Sequence, residues 1–435
     1  MLNLIYLFFI LTFETSKFYI INFFRVYVLG LTSHDRLMLI KTITQKLESI
    51  NIVYVKIFQS MSLEKNILYE NESDYLIKYT DSVPYNITDI DLDVLYNLEK
   101  EHGIYLENKL PVNSGVIGIV FKGIDKNDNN KPIVVKMLKN NIREKYIDVY
   151  KQLEELTLII SYIPYINNIN YSKMLKDSKD SILAQTDFIK ESNNIEHFKN
   201  KFKNNKEYII PSVYKNITKQ YNNVIVMSDI KGLTYSDIKD YDNDTKYQFA
   251  RLLNKFGYLS ILYHNCINSD IHAGNIFFYI NNDNDCSKNN IPKYQLGIID
   301  YGLCYYPTLK NQDAYFKFFY DVQIKKNYSL IDEIIYIFIE NNDYYKKYVN
   351  KKLLHFQIKE LIESYSDNEI NITFINNMAG IFKKHNLEFT KEFSNVCMSI
   401  QISYSLGMSL YNKLHNLNSD IMSDFIKINN LLDID

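Results

Sequence analysis

The 435-residue sequence is short of several residue types, and each shortage excludes a class of protein. Its four cysteines, Cys266, Cys286, Cys304 and Cys397, show no paired spacing for zinc and are too few for a disulfide framework, which favours a reducing, intracellular compartment. With 49 basic and 51 acidic residues, the chain lacks the charge excess that attracts nucleic acid. Only seven prolines and 12 glycines, beside 46% apolar residues, indicate a folded and helix-rich protein.

Long apolar runs are also missing. The most apolar stretch is residues 1–32, but Glu14, Lys17 and Arg25 divide it, and neither half reaches the roughly 20 residues that span a bilayer. No basic stretch precedes the first run, as a secretory signal requires. Two interpretations stay open, a buried helix or an interfacial anchor with aromatic side chains among lipid headgroups. The second predicts a membrane-associated protein with a lipid or membrane surface as a partner.

The strongest chemical signal lies in two short segments. Asp270 opens the sequence Asp-Ile-His-Ala-Gly-Asn, which ends at Asn275, and a later apolar run leads into Asp300-Tyr301-Gly302. Phosphoryl transfer needs a carboxylate beside the attacking hydroxyl, an amide oxygen on the metal, and a second carboxylate that bridges metal and phosphates. We therefore predict Asp270 as the catalytic residue and Asn275 with Asp300 as ligands of Mg²⁺. The spacing is typical of protein kinases.

A strand–turn–strand pattern lies upstream of these segments, from Pro111 to Met137. In a kinase, such a hairpin folds over ATP, small residues let backbone amides approach the phosphates, and a strand lysine holds them. We predict that Gly115, Gly118 and Val120 contact the nucleotide and that Lys136 binds its phosphates.

A lysine in this position needs a carboxylate on a nearby helix, which orients it and offsets the cost of burying its charge. We predict that Glu191 is this carboxylate. Glu154 and Glu155, on the helix that follows the lysine strand, are competitors, and sequence spacing does not decide between the three.

An apolar strand ending at Met227 leads into a short polar linker that contains Ile230. In a kinase, the corresponding linker joins the two lobes and its backbone hydrogen-bonds the adenine ring. We therefore predict that Met227 lines the adenine pocket and that Ile230 belongs to the nucleotide site.

Three further segments carry a family resemblance. Lys56-Ile57-Phe58-Gln59 resembles a Lys-x-Gly-Gln motif, Pro111–Val120 an alanine-rich phosphate loop, and Asp187 with Glu191 a Glu-x-Asp motif followed by the helix glutamate. With the two downstream motifs in the same order, the chain resembles the UbiB/ADCK family of atypical kinases from about residue 35 to residue 310. The resemblance implies an α+β, bilobal protein-kinase-like fold with a helical N-terminal extension and a mostly helical C-terminal lobe.

The resemblance also implies a division of the chain and a function. Its parts would be an apolar segment at 1–32, a helical extension at 33–108, an N-lobe at 109–230 and a C-lobe at 231–435. Lys56, Gln59 and Asp187 would belong to a regulatory extension packed over the site. The implied activity is Mg-ATP-dependent phosphoryl transfer or ATP hydrolysis, linked to membrane lipid or prenylquinone metabolism.

Two departures from the family pattern leave the control of this site open. Phe58 stands where the motif has glycine, and Gln185 replaces the first glutamate of Glu-x-Asp. Two alternative functions therefore remain, a noncatalytic nucleotide-binding scaffold and a small-molecule kinase of the aminoglycoside or choline type, whose Asp-x-His-x-Gly-Asn loop this chain also resembles. The sequence predicts neither the phosphoryl acceptor nor the oligomeric state.

Overall fold

The computed structural model describes residues 2–23, 33–51, 53–54, 72, 75, 83, 85–161, 171–282, 286–288, 290–365 and 372–411. Residue contacts divide the chain into two compact units, the first comprising residues 1–192 and 213–229 and the second comprising 193–212 and 230–435. Both units combine helices with strands, as the expected α+β class requires.

The described helices, in chain order, are α1 (Leu2–Ile21), α2 (Ser33–Ile50), α3 (Leu92–His102), α4 (Ile142–Ser161), α5 (Tyr171–Ala184), α6 (Phe188–Lys201), α7 (Lys215–Gln220), α8 (Tyr235–Ile238), α9 (Asn243–Tyr258), α10 (Leu309–Phe316), α11 (Ile331–Phe338), α12 (Asn342–Tyr348), α13 (Lys351–Ser364), α14 (Ile372–Lys384) and α15 (Lys391–Leu410). Several begin at an N-cap whose side chain accepts a backbone N–H two or three residues on, which satisfies one of the amides left over at a helix start. Asp91, Asp242, Thr308 and Thr390 do this for α3, α9, α10 and α15.

The described strands are β1 (Ile104–Leu106), β2 (Asn113–Ser114), β3 (Gly118–Asp125), β4 (Lys131–Leu138), β5 (Tyr208–Ile209), β6 (Val224–Ser228), β7 (Ile267–Asn268), β8 (Ile276–Ile280), β9 (Tyr294–Ile298) and β10 (Cys304–Tyr305). In the first unit they form one antiparallel sheet in the order β1-β3-β4-β6, with β2 also pairing with β3. In the second unit β5, β9 and β8 form one small sheet, and β10 and β7 form another.

The central strands of the first sheet alternate between a buried and a partly exposed face. On β4, Ile133, Val135 and Met137 are fully buried, so Val134 and Lys136 lie on the opposite face. The register places Lys136 between Val120 of β3 and Ile225 of β6. The hydrophobic face of the sheet therefore fixes the direction in which the lysine points.

Strand β1 lies within the segment that the sequence assigned to the helical extension, and the structure pairs it with β3. Ile104 faces Asp125 and Leu106 faces Gly123 in this pairing. A Cβ atom added to Gly123 would lie 2.5 Å from the main-chain oxygen of Tyr105, so the close approach of the two strands depends on glycine. The sheet thus begins before residue 109.

In the second unit, an aromatic cluster fills much of the core around α6 and α9. Phe198 stacks on Phe202 and Phe256, and Tyr208 and Tyr301 pack against the same group. Helix α9 is followed directly by a π-helical turn, Leu259–Tyr263, and this turn leads toward β7 and the predicted catalytic loop. Burial of these rings gives the second unit its own hydrophobic core.

At the N-terminus, α1 buries Ile10 and Glu14 and exposes an apolar face. Lys46 of α2 forms an ion pair with Glu14, which explains how an acidic side chain is tolerated inside this helix. Phe9, Phe13 and Ile20 are among its exposed apolar side chains. In the ranges covered by the structure, no helix is both long and apolar enough to cross a bilayer.

Candidate active site

The first unit brings together two of the predicted ATP-site residues. Lys136 Nζ lies 2.7 Å from Glu191 Oε1 in an ion pair between strand β4 and helix α6. The glutamate side chain is 2% exposed and the lysine side chain 18%, so the pair is shielded at one end and open to solvent at the other. A buried carboxylate of this kind needs a cation close by, and Lys136 supplies one.

Helix α6 is built so that Glu191 occupies its first turn. Asp187 Oδ1 accepts the N–H of Lys190 at 2.9 Å, and the main-chain oxygen of Asp187 accepts the N–H of Glu191 at 3.0 Å. Phe188 is buried one turn earlier, with its ring centroid 5.4 Å from Lys136 Nζ. Asp187, predicted as part of the regulatory extension, is therefore seen here as the cap of the helix that carries the glutamate.

The two competing glutamates do not pair with Lys136. Glu154 forms an ion pair with Lys179 at 2.9 Å, in which both side chains are more exposed than those of the Lys136 pair. Glu155 lies on the same helix, α4, and is partly exposed. The choice left open by sequence spacing is thus made by the packing of α6 against the sheet.

The predicted phosphate loop forms a tight turn between β2 and β3. The N–H of Gly115 donates to the main-chain oxygen of Gly118 at 2.9 Å. A Cβ atom at Gly118 would lie 3.0 Å from the main-chain oxygen of Met137, so this position leaves little room for a side chain. Val120 faces Lys136 across the β3–β4 ladder. Gly118 and Val120 of β3 and Lys136 of β4 therefore lie on neighbouring strands of the first unit, with Gly115 in the turn before β3.

The predicted adenine-pocket residues fall in different units. Met227 lies on β6, opposite Val134 of β4, and is 5% exposed. Ile230 is the first residue of the second unit's long segment and packs against Gly297, where an added Cβ would lie 2.7 Å from Ile230 Cγ2. The adenine contacts of Met227 and Ile230 stay predictions.

In the second unit, Asn268 ties the two acidic segments together. Its Oδ1 accepts the N–H of Asp270 at 3.0 Å, and its Nδ2 donates to the main-chain oxygen of Asp300 at 2.8 Å. The side chain is 1% exposed, and Ser399 of α15 donates to its main-chain oxygen at 3.0 Å. Asn268 is not among the site residues predicted from the sequence. An asparagine side chain often hydrogen-bonds the backbone two residues on and so favours a turn. This pattern, with Asp270 two residues later, could have indicated Asn268.

The predicted metal ligands are each held by short local hydrogen bonds. Asn275 Nδ2 donates to the main-chain oxygen of Asp270 at 3.0 Å, which leaves its Oδ1 as the amide acceptor. Asp300 Oδ1 accepts the N–H of Gly302 at 2.9 Å. His272 Nδ1 accepts the N–H of Gly274 at 3.2 Å and so caps the short 3₁₀ turn Ala273–Asn275. Asp270, Asn275 and Asp300 are therefore positioned within one unit by backbone contacts.

Tyr301, which follows Asp300, is fully buried. Asn194 of α6 donates from Nδ2 to the Tyr301 main-chain oxygen at 2.8 Å, and Tyr306 donates from its hydroxyl to Asn194 Oδ1 at 2.7 Å. The Tyr301 hydroxyl has no hydrogen-bond partner among the described residues. Burial raises the pKa of this tyrosine well above its ordinary value, so the hydroxyl stays protonated.

Comparison with known proteins adds the family. Residues 102–335, more than half of the chain, match the ABC1 atypical kinase-like domain. The chain belongs to the ABC1 atypical kinase-like family. The resemblance to UbiB/ADCK kinases is thereby confirmed, together with the kinase-like α+β fold.

Curated relatives match the same part of the chain. A probable protein kinase UbiB of Shewanella baltica (strain OS155) is 24% identical over 243 residues, which cover 53% of this chain and 43% of the relative. One of the same description from Shewanella sp. (strain MR-4) is 25% identical over 240 residues, with the same coverage. The chain thus aligns with less than half the length of these relatives.

Among solved structures, the Mycobacterium tuberculosis protein Rv3197, determined with erythromycin, is 14% identical. The comparison covers 81% of this chain and 90% of that one, with a TM-score of 0.47.

The donor atoms in the second unit fit the magnesium that the family implies. Magnesium keeps several waters and is held through one or two protein oxygens together with substrate phosphates. Asn275 offers an amide oxygen and Asp300 a carboxylate, and both belong to segments fixed by Asn268 and by local backbone bonds. These oxygens suit a hard cation and offer none of the soft ligands that zinc or copper prefer.

The motif segment at Lys56, Phe58 and Gln59 lies outside the described residues. Its predicted position over the site, and the effect of Phe58, stay predictions. Gln185 is described, and its N–H donates to the main-chain oxygen of Ile182 in the turn that follows α5.

Proposed function

We propose that this chain binds Mg-ATP and catalyses phosphoryl transfer or ATP hydrolysis. The observation that carries the proposal is the 2.7 Å ion pair of Lys136 with Glu191, on a strand and a helix far apart in sequence. A buried ion pair contributes little to stability compared with apolar side chains of the same size, so its presence favours a role in binding. In kinases, this lysine binds the α/β-phosphates and the glutamate holds it in place.

The second unit supports the same reaction. Asn275 and Asp300 would hold Mg²⁺, which neutralises charge that develops on the transferred phosphoryl group. Asp270 would accept a hydrogen bond from the attacking hydroxyl or water and orient it. Asn268 acts through these residues, since it binds the backbone of both Asp270 and Asp300. Catalysis of this type depends on positioning, which is what these backbone links provide.

The acceptor we propose is a substrate at a membrane surface, in prenylquinone or other lipid metabolism. The family relationship supports this, because the curated relatives are described as UbiB protein kinases. So does the exposed apolar face of α1, which carries Phe9, Phe13 and Ile20 and has the character of an interfacial helix. We propose peripheral attachment through this helix.

The deciding experiment measures Mg²⁺-dependent ATP turnover of the full chain, with and without anionic liposomes. Asp300→Asn should lower turnover by about a hundredfold or more, because a neutral amide replaces the carboxylate that would hold the metal. The matched control is Asp240→Asn, the same change at an exposed carboxylate of the second unit. Liposomes should raise the turnover of the wild type if the acceptor is membrane-bound.

Turnover that Asp300→Asn leaves unchanged in a pure preparation would contradict the proposal. A wild-type protein whose melting temperature rises with ATP, but which shows neither hydrolysis nor transfer, would instead support the noncatalytic alternative.

A further inference from the structure

The second unit contains a basic cavity that lies outside the predicted ATP and metal ligands. Its volume is about 590 Å³, and its wall is formed by the end of α6, the segment before β5, the end of α9 with the following π-helical turn, and the segment before β9. Asp270, Asn275 and Asp300 do not line it. A cavity of this size falls within the range of small-molecule sites, roughly 300–1,000 Å³.

The charges on the cavity wall are mostly positive. Lys201, Lys206 and Lys255 all line it, against a single carboxylate, Glu207. Lys255 Nζ forms an ion pair with Glu207 Oε2 at 2.7 Å, and Lys206 Nζ donates to the main-chain oxygen of Asn290 at 3.1 Å. The whole chain has a formal net charge of -2, so the cavity wall is more positive than the chain as a whole.

The third lysine, Lys201, affects the cavity wall through its electrostatic field. Lys201 is exposed and forms no ion pair within the part of the chain that the structure describes. Burial, and then the Lys201 ammonium, lower the pKa of His264 to about 4, so this wall histidine is neutral near pH 7. An anion in the cavity would have the Lys201 charge available to it.

The backbone of the wall is also unusual. Helix α9 changes into the π-helical turn Leu259–Tyr263, in which the N–H of His264 donates to the main-chain oxygen of Leu259 at 2.9 Å. Leu259, Tyr263 and His264 all line the cavity. π-Helical turns are rare and occur frequently at functional sites, although the second π-helical segment of this chain, Lys317–Val322, does not line the cavity. The turn therefore brings three wall residues to the cavity independently of the lysines.

The hydrogen-bonding groups on the cavity wall indicate which class of ligand would bind there. Ammonium groups, asparagine amides and the Tyr263 hydroxyl offer many hydrogen-bond donors, and phosphate oxygens are acceptors that bind such donors strongly. The concave shape suits a compact group better than a flat protein surface. We propose that this cavity binds a compact phosphate-bearing ligand, either a free phosphorylated small molecule or a phosphate headgroup.

The test is calorimetric titration of the full chain with inorganic tripolyphosphate. Lys201→Gln with Lys206→Gln should weaken binding by about tenfold or more, because two charge-assisted contacts are lost. The matched control is Lys203→Gln with Lys310→Gln, which makes the same charge change at exposed lysines that do not line the cavity. Thermal melting confirms that each double variant is folded, and single variants replace a double variant that is not.

Two arms distinguish the source of the phosphate. Tripolyphosphate binding that the cavity variant loses and the control keeps supports a free ligand. A headgroup is supported if the protein sediments with phosphatidic acid vesicles but not with phosphatidylcholine vesicles, and if the cavity variant no longer does so. The proposal is overturned by binding that the cavity variant keeps, by binding that both variants weaken equally, or by the absence of binding with both probes. Failure of the ATP turnover test would leave these results unaffected, since Lys201 and Lys206 have no part in it.

Discussion

The two units hold their candidate active-site residues by different physical means. In the first, Lys136 and Glu191 hold each other through charge, across a strand and a helix. In the second, Asp270 and Asp300 are held by the neutral side chain of Asn268, which binds their backbone. Removing one partner of a buried ion pair leaves an uncompensated charge and destabilises the protein strongly. Losing a hydrogen bond between a neutral side chain and the backbone has a smaller effect. The Lys136–Glu191 pair of the first unit therefore depends on keeping both charges, whereas the Asp270 and Asp300 segments of the second unit depend on keeping their turn geometry.

The largest effect should come from breaking the charge pair. Lys136→Met leaves the buried Glu191 carboxylate without its cation and should lower the free energy of unfolding by about 2–4 kcal/mol. Adding Glu191→Leu should recover most of this loss, because apolar side chains can replace a buried ion pair, but ATP turnover should stay absent. Urea unfolding of the single and double variants measures the stability.

The exposed pair of Lys179 with Glu154 provides the control. Lys179→Met should cost less than about 1 kcal/mol, since exposed ion pairs are weak. A cost for Lys136→Met no larger than that of Lys179→Met would show that charge compensation does not hold Lys136 and Glu191 in place.

An intermediate effect is expected from Asn268→Ala. It removes the hydrogen bonds to Asp270 and Asp300 and should lower the free energy of unfolding by about 2 kcal/mol. Because these bonds position the loop, kcat for ATP turnover should fall as well, with a smaller change in KM.

The control is Asn281→Ala, which also removes two side-chain hydrogen bonds, to the main-chain oxygen of Pro292 and to Gln295 Oε1, both at 2.7 Å. It should cost similar stability and leave kcat unchanged. If the two variants lowered kcat equally, Asn268 would be a structural residue and not a positioning one.

The smallest effect, a gain, is expected from Tyr301→Phe. The change removes a buried hydroxyl that lacks a hydrogen-bond partner among the described residues, and should raise the free energy of unfolding by about 1 kcal/mol. Tyr345→Phe is the opposite case, because that hydroxyl donates to Asp332 Oδ1 at 2.6 Å, and it should be destabilising. Chemical denaturation compares the two, and a loss of stability in Tyr301→Phe would refute the expectation.

Several of these features could be predicted from the sequence because they follow from local patterns. The β3–β4 hairpin is visible in its apolar strands and polar turn. The roles of Asp270 as catalytic residue and of Asn275 and Asp300 as metal ligands stay predictions from their residue types and order. The choice of Glu191 over Glu154 could not be derived from spacing, since it depends on how α6 packs on the sheet.

Other features depend on tertiary contacts that no local pattern contains. The cavity lysines come from α6, from the segment that follows it and from α9, and only folding brings them together. The buried state of the Tyr301 hydroxyl depends on rings such as Phe198, which is distant in sequence. Strand β1 is only three residues long and lies inside a segment that the sequence predicts to be helical.

Gly123 limits how this chain can diverge. Any other residue there would place a carbon atom 2.5 Å from the Tyr105 carbonyl, so a single substitution must also displace β1. At Gly123, a tolerated substitution needs a second change that lets β1 move away, and the substitution alone is disfavoured. This pairing of strands is therefore a barrier to neutral evolution as well as an element of the fold.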